Sequence, residues 1–221
     1  MNCKLLIIVA AAGLGIAATP DRFDLKVRNY FFAGFSGDSE SLDKGMKMCE
    51  ETLAEDSKNA QALVWHGAGL YFRSGQLFQQ GDPQKGMELM QRGIGEMDQA
   101  VELAPDSVGV RIPRGAVLLT GSRFIPDPAI ARPLVVKALS DFERSYELQL
   151  EQLDRLGTHP RGELLIGLAE ANARLGNDEK AGVFYDRLEK DLPGTPYAKK
   201  AAQYRETKVT QTGCLGCHNA K

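Results

Sequence analysis

The feature that most constrains the fold of this chain is a pair of amphipathic helical patterns between Gly162 and Pro196. Apolar and small residues recur there at the three- and four-residue spacings that place side chains on one face of a helix. They are Leu165, Leu168, Ala169, Ala181, Tyr185 and Leu188. Between the two patterns, Gly176 is suited to end one helix and Asn177-Asp178 to cap the next. This stretch therefore predicts a helical hairpin.

The same pattern recurs in two earlier stretches of the chain. Their apolar, small and proline positions are, in chain order, Gly45, Cys49, Leu53, Leu63, His66, Gly67, Leu70, Gly93, Met97, Ala100 and Pro105. Small residues at such positions let two helices cross closely, and proline follows the second helix. The chain is therefore predicted to repeat one helical hairpin.

With a period of about 34 residues, the unit at 162–196 resembles the tetratricopeptide repeat. The resemblance covers most of residues 37–206. It implies an all-α fold for residues 19–209, a tetratricopeptide-like solenoid of antiparallel helix pairs. It also implies the family's usual role, which is to hold a peptide or another protein on the solenoid surface. No binding residue follows, because ligands differ across the family.

The spacing of the repeats is irregular. More residues separate Leu70 from Gly93 than the period allows, and prolines interrupt the region around residues 111–133. The expected elements are helices over 63–80 and 83–103, a break at 121–128, a helix over 129–156, a loop at 158–160 and a capping helix over 197–209.

Specific chemistry is indicated by Cys214-Leu215-Gly216-Cys217-His218, within a tail of residues 210–221. This Cys-x-x-Cys-His motif is the attachment signal of c-type haem. Two thiols three positions apart can form thioether bonds to the two vinyl groups of one porphyrin, and the adjacent histidine can ligate its iron. The motif predicts one covalent haem c held by Cys214 and Cys217, with His218 as the proximal iron ligand.

Other interpretations of the motif are weaker. A thiol redox pair prefers a βαβ context, whereas this chain has an all-helical pattern. Structural zinc needs a fourth ligand and usually a second pair of ligands, which the sequence does not show. The chain also resembles the cytochromes c′ in carrying the motif near the C-terminus of a helical protein, and that family encloses haem in a four-helix bundle. The repeat pattern argues against such a bundle here.

The motif leaves the sixth iron ligand open. His66 and His159 are the other histidines. His66 falls at a core position of a repeat helix, where the alternative is a buried, hydrogen-bonded side chain. His159 precedes a proline in an expected loop, where a structural role is the alternative. Methionine ligation would raise the reduction potential relative to two histidines. The helical spacing instead predicts core positions for Met46, Met48, Met87, Met90 and Met97.

The N-terminal residues predict export. Residues 1–4 are basic, and residues 5–18 are an uninterrupted run of apolar and small residues ending in Ala17-Ala18. This is the pattern of a secretory signal peptide, here residues 1–18. The run is shorter than the ~20 residues that span a bilayer, so no membrane span is expected after cleavage. The resemblance to c-type cytochromes implies haem attachment outside the bacterial inner membrane, which agrees with a periplasmic or otherwise exported location.

Composition limits the partners and the free thiols. The 221 residues carry a net charge of −2 without a basic patch, which argues against nucleic acid as a partner. Cys3 lies in the signal peptide. Cys49 lies in a helical pattern, where we expect an inert buried thiol, the alternative being a disulfide to a tail cysteine.

These patterns together predict an exported monohaem c-type cytochrome on a tetratricopeptide-like scaffold. The scaffold would dock a protein partner, and the haem would transfer single electrons. The alternative is a periplasmic protein–protein interaction scaffold with no redox role. No nucleophile–base set or phosphate loop is visible, so an electron carrier or binding protein is favoured over an enzyme. The oligomeric state is left open.

Overall fold

The computed structural model describes residues 22–210, and every regular element in that range is helical. The α-helices of this range are α1 Phe23–Phe35, α2 Ser39–Glu55, α3 Ala60–Gln79, α4 Pro83–Leu103, α5 Val108–Gly121, α6 Pro128–Gln149, α7 Thr158–Leu175, α8 Asp178–Asp191 and α9 Pro196–Thr207. Short 3-10 segments follow α5 at Ser122–Phe124 and α6 at Leu150–Arg155. The predicted all-α class is confirmed.

Consecutive helices pack in pairs, α1 with α2, α3 with α4, α5 with α6 and α7 with α8. Helices α3 and α4 run antiparallel, because Gly67 lies against Gly93 in mid-helix while Phe78 lies against Gly86 beside the connecting turn. The pairs stack through α1, α3, α5 and α7, each of which contacts the next helix in this series. Helix α9 packs on α8 and α7.

The core runs along the stack in two clusters of buried apolar side chains. The first extends from α1 to α7 and includes Phe31, Met97 and Leu118. The second joins α7, α8 and α9 around Tyr185 and Leu188. The partly buried rings of Tyr146 and Phe184 pack against both clusters.

The predicted core thiol and core methionines are confirmed. Cys49 is fully buried, and burial raises the pKa of its thiol well above the usual value, which makes it a poor nucleophile. Methionines of the first cluster are either buried or packed against its edge; they are Met46, Met90 and Met97 in the interior and Met48 and Met87 at the edge.

Several predicted boundaries are close to the observed ones. Helix α4 has the bounds expected over 83–103. The helices expected over 63–80 and 197–209 are α3 and α9, whose ends differ from the predicted ones by one to three residues. The break over 121–128 is confirmed by the 3-10 segment between α5 and α6. Gly176 ends α7 with φ 83°, a left-handed conformation that favours glycine.

One local prediction is wrong and two are correct only in part. Residues 158–160 form the first turn of α7 instead of a loop, because Pro160 is tolerated where backbone N–H groups have no helical partner. The helix expected over 129–156 begins at Pro128 and changes to a 3-10 segment after Gln149. Asn177 occupies the N-cap position of α8, but its side chain donates to Asn172 Oδ1 instead of capping the helix.

None of the helices within residues 22–210 is long and apolar enough to cross a bilayer. The predicted signal peptide, residues 1–18, lies outside the described residues.

Candidate functional site

The predicted haem-binding residues Cys214, Cys217 and His218 lie outside the described residues, which end at Thr210. The surface from which the chain enters that segment is described. Helix α9 ends at Thr207, and Lys208 has φ 56°, which turns the backbone out of the helix. We call Val209 and Thr210, the last two described residues, the tail root.

Arg123 binds the tail root. Its Nη1 donates to the carbonyl oxygen of Thr210 at 3.0 Å, and its Nη2 donates to Oε2 of Glu170 at 3.1 Å. Arg123 lies in the 3-10 segment after α5, and Glu170 lies in α7. One guanidinium, with its five donors in a planar fork, therefore connects three separate parts of the chain.

Arg174 fixes the segment that carries Arg123. Its Nη1 donates to the carbonyl oxygen of Leu119 at 2.6 Å and to Oγ of Ser122 at 2.8 Å. Leu119 lies in the last turn of α5, where carbonyl groups have no helical partner. A cation at this end also interacts favourably with the helix dipole. We call Arg123, Glu170, Arg174 and Ser122 the Arg123 cluster.

Glu170 is the acidic member of this cluster and is only 2% exposed. Burial raises the pKa of its carboxyl to about 7, against the opposing effects of Arg123, Lys200 and Arg174. Burial also lowers the pKa of Arg174, and repulsion from Arg123 acts in the same direction. Three cationic side chains thus act on the carboxyl of Glu170.

We expect Glu170 to make the protein less stable as the pH rises from 4.5 to 7. The pKa of the Glu170 carboxyl is about 7 in the folded chain, against an ordinary value of 4.5. Between these two pH values the folded chain therefore keeps a proton that the unfolded chain releases. The stability contributed by neutral Glu170 is full below pH 4.5 and is lost as the pH rises through 7. Relative to Glu170→Gln, the wild type should lose about 2 kcal/mol of unfolding free energy across this interval. Denaturant unfolding of both proteins at several pH values measures this, and parallel pH profiles would contradict it.

Each residue of the contact between Arg123 and Thr210 has an exposed apolar neighbour in the sequence. Phe124 follows Arg123 and is 72% exposed, and Val209 precedes Thr210 and is 63% exposed.

The two histidines predicted as sixth-ligand candidates lie in different settings. His66 is buried in α3, with Nδ1 at 2.5 Å from Glu96 Oε2 and Nε2 at 3.6 Å from Glu50 Oε1. Its two ring nitrogens therefore face carboxylates of α4 and α2, as in the hydrogen-bonded alternative.

His159 lies at the start of α7. Its Nδ1 bonds the hydroxyl of Tyr197 at 2.8 Å, and that hydroxyl donates to Glu163 Oε1 at 2.8 Å. Eleven residues of helix separate His159 from Glu170, or about 16 Å along the axis. The contacts of the described residues therefore join neither His66 nor His159 to the tail root.

The sequence patterns did not identify Arg123, Glu170 and Arg174 as a cluster. A usable indication was present in the sequence of α7, where Glu170 follows the apolar and small run Leu164–Ala169. In the structure, every residue from Leu164 to Asn172 is buried. A carboxylate in the middle of such a run needs a cationic partner. The partner Arg123 is 47 residues away in sequence, so local spacing does not identify it.

Among residues 22–210, no group of three or more His, Cys, Asp and Glu side chains is arranged to hold a metal ion. Comparison with protein-family models, with curated proteins and with solved structures finds no match to this chain.

Proposed function

We propose that this protein is an exported monohaem c-type cytochrome. The observation that carries the proposal is the motif Cys214-Leu215-Gly216-Cys217-His218, which has the residue types and spacing for covalent haem attachment. Cys214 and Cys217 would form the thioethers, and His218 would ligate the iron. When bound, the haem supplies a one-electron change of its iron.

We further propose that the helical part is a tetratricopeptide-like scaffold that docks a protein partner. Its support is the packing of helices in consecutive pairs and the stacking of those pairs through α1, α3, α5 and α7. The glycine contact between α3 and α4 also agrees with the small residues of the repeat pattern. This packing equally supports an interaction scaffold without a redox role, so the haem distinguishes the two functions.

Expression of the full chain with a cytochrome c maturation system tests the proposal. We expect the denatured polypeptide to retain haem absorbance, and the intact mass to show one added haem and the loss of residues 1–18. Cys214→Ser/Cys217→Ser should lose the absorbance, because no thioether can form. Cys49→Ala is the matched control and should retain it. Wild-type protein without covalent haem would refute the cytochrome and leave the interaction scaffold.

A further inference from the structure

We propose that the ion pair between Arg123 and Glu170 is a pH-sensitive latch on the tail root. The latch holds the carbonyl of Thr210 while Glu170 is ionised and releases it when Glu170 is protonated. This inference goes beyond the proposed function, because it concerns contacts of the described residues and applies whether or not haem is attached.

The side chain of Arg123 is the moving part of the latch. Its guanidinium donates to the carboxylate of Glu170 at 3.1 Å and to the carbonyl oxygen of Thr210 at 3.0 Å. The side chain of Arg123 is 16% exposed and that of Glu170 is 3% exposed, so solvent screens their attraction only weakly. An ionised carboxylate binds a guanidinium more strongly than a neutral carboxyl does. The charge of Glu170 therefore decides how firmly Arg123 is held within reach of Thr210.

The backbone that carries Arg123 is fixed by a separate set of bonds. Nη1 of Arg174 donates to the carbonyl oxygen of Leu119 and to Oγ of Ser122. A backbone carbonyl and a serine hydroxyl do not titrate near neutral pH. Protonation of Glu170 therefore weakens the hold on the Arg123 side chain without removing the bonds that fix its backbone.

The local backbone favours release of the tail root. Lys208, which precedes it, has φ 56°, a conformation that residues other than glycine adopt at an energetic cost. The backbone N–H of Val209 donates to Oγ1 of Thr207 at 3.2 Å, a bond within the end of α9. The bond from Arg123, by contrast, connects the tail root to the segment after α5. When that bond is lost, the backbone at Lys208 is able to relax.

The charged and titratable groups around Glu170 come from several elements. They are Arg123 in the 3-10 segment after α5, Arg174 in α7, Lys200 in α9 and Tyr185 in α8, with Tyr71 of α3 interacting with Arg174 and Tyr204 of α9 interacting with Tyr185. Burial raises the pKa of the Tyr71 phenol to about 12 and that of the Tyr185 phenol well above its ordinary value, so both are neutral near pH 7. Burial raises the pKa of the Glu170 carboxyl to about 7, so its charge changes between pH 6 and pH 8.

Protonation of Glu170 and release of Arg123 are thermodynamically linked. Arg123 lowers the pKa of Glu170, so the carboxyl binds a proton more tightly once Arg123 has left. Protonation must therefore favour release by the same factor. An opposite charge at this distance typically changes the ionisation equilibrium of a carboxyl about tenfold or more. We therefore expect the released population to be about tenfold larger with neutral Glu170 than with ionised Glu170.

Trypsin cleavage after Lys208 measures release, because the rate follows the population in which this segment is open. At pH 8, Glu170→Gln should yield residues 209–221 about fivefold faster than the wild type, since its side chain is neutral and has the same shape. Glu189→Gln is the matched control. It neutralises a carboxylate that binds Arg205 of α9 on the surface, at 3.0 Å, and should be cleaved at the wild-type rate.

The pH dependence is measured against a variant whose latch cannot close. Arg123→Gln/Glu170→Gln lacks both charges and leaves no unpaired carboxylate at this position, so its cleavage rate corrects for the pH dependence of trypsin itself. With tenfold coupling and a pKa of about 7, the wild-type rate relative to this variant should rise about fivefold from pH 8 to pH 6.

Denaturant unfolding separates release of the tail root from a general loosening of the fold. Glu170→Gln should be cleaved faster although its unfolding free energy at pH 8 does not fall below that of the wild type. This result, with the wild-type rate in Glu189→Gln, supports the latch.

Three results would overturn the latch. They are equal cleavage of Glu170→Gln and wild type at pH 8, a relative wild-type rate that does not change with pH, and equal acceleration in Glu189→Gln. Haem retention after denaturation tests the cytochrome separately, so failure of either proposal leaves the other standing.

Discussion

Arg114→Met should lower the free energy of unfolding by about 3–5 kcal/mol, because it removes one partner of a buried ion pair. Arg114 of α5 binds Asp141 of α6 through two hydrogen bonds, from Nε to Oδ2 at 2.6 Å and from Nη2 to Oδ1 at 2.8 Å. Its Nη1 also donates to Asp98 of α4 at 2.8 Å. One guanidinium therefore connects three helices.

The loss of unfolding free energy arises from Asp141, which is 0% exposed. Burial raises the pKa of its carboxyl even with Arg114 and Arg111 beside it. After the substitution, the remaining cationic partner is Arg111, whose Nη1 lies 2.9 Å from Oδ1. A buried carboxylate that loses its two-point partner must be protonated or hydrated, and both changes lower stability.

Arg144→Met is the matched control, since Arg144 also bonds two carboxylates, Asp106 and Glu147, but does so on the exposed surface. Its effect on urea unfolding should be much smaller, because solvent screens exposed pairs. The double variant Arg114→Met/Asp141→Leu should regain most of the loss, because no unpaired carboxylate stays buried. If Arg114→Met proved no more harmful than Arg144→Met, the pair with Asp141 would not stabilise the fold as argued.

The same ion pair shows why the sequence predicted only part of the fold. Periodicity analysis assigns charged residues to the solvent-facing side of a helix. Arg111 and Arg114 therefore interrupt the apolar pattern of α5, and its apolar face is not recognised from the sequence. Pro113 lies inside that helix and further weakens the helical pattern of the sequence. Asp141 is 27 residues from Arg114, so no local window contains both charges. Helix α7, by contrast, carries its apolar and small residues in one short stretch, and its hairpin with α8 was predicted.

The candidate site divides in the same way. The proposed haem motif is five contiguous residues, so the sequence alone is enough to propose it without any knowledge of the fold. The surface at the tail root depends on Arg123 and Thr210, which are 87 residues apart in sequence. Such a contact follows from how α5, α7 and α9 stack, and no pattern of spacing contains that information.

Gly93→Ala should lower the free energy of unfolding by about 3 kcal/mol, near the upper end for adding a methyl group to a packed interior. A Cβ at Gly93 would lie 2.6 Å from the carbonyl oxygen of Gly67 and 2.8 Å from the amide nitrogen of Tyr71. Both are backbone atoms of α3, so no side-chain rotation relieves the overlap. The two helices must separate, which also strains the contact of His66 with Glu96 across the same pair.

Gly95→Ala, two residues further along α4, is the control because a Cβ there meets no atom within 4 Å. It should raise the unfolding free energy by about 0.5–1 kcal/mol, since alanine loses less backbone entropy than glycine on entering a helix. Each variant adds one methyl group to the same helix. Changes of opposite sign in the unfolding free energy would therefore identify the close approach of α3 and α4 as the cause of the loss at Gly93. Gly67→Ala should lower the unfolding free energy less in the Gly93→Ala protein than in the wild type, because Gly93→Ala has already separated the helices. Denaturant unfolding of the wild type and the four variants measures these differences, and equal effects at Gly93 and Gly95 would mean that the crossing tolerates a side chain.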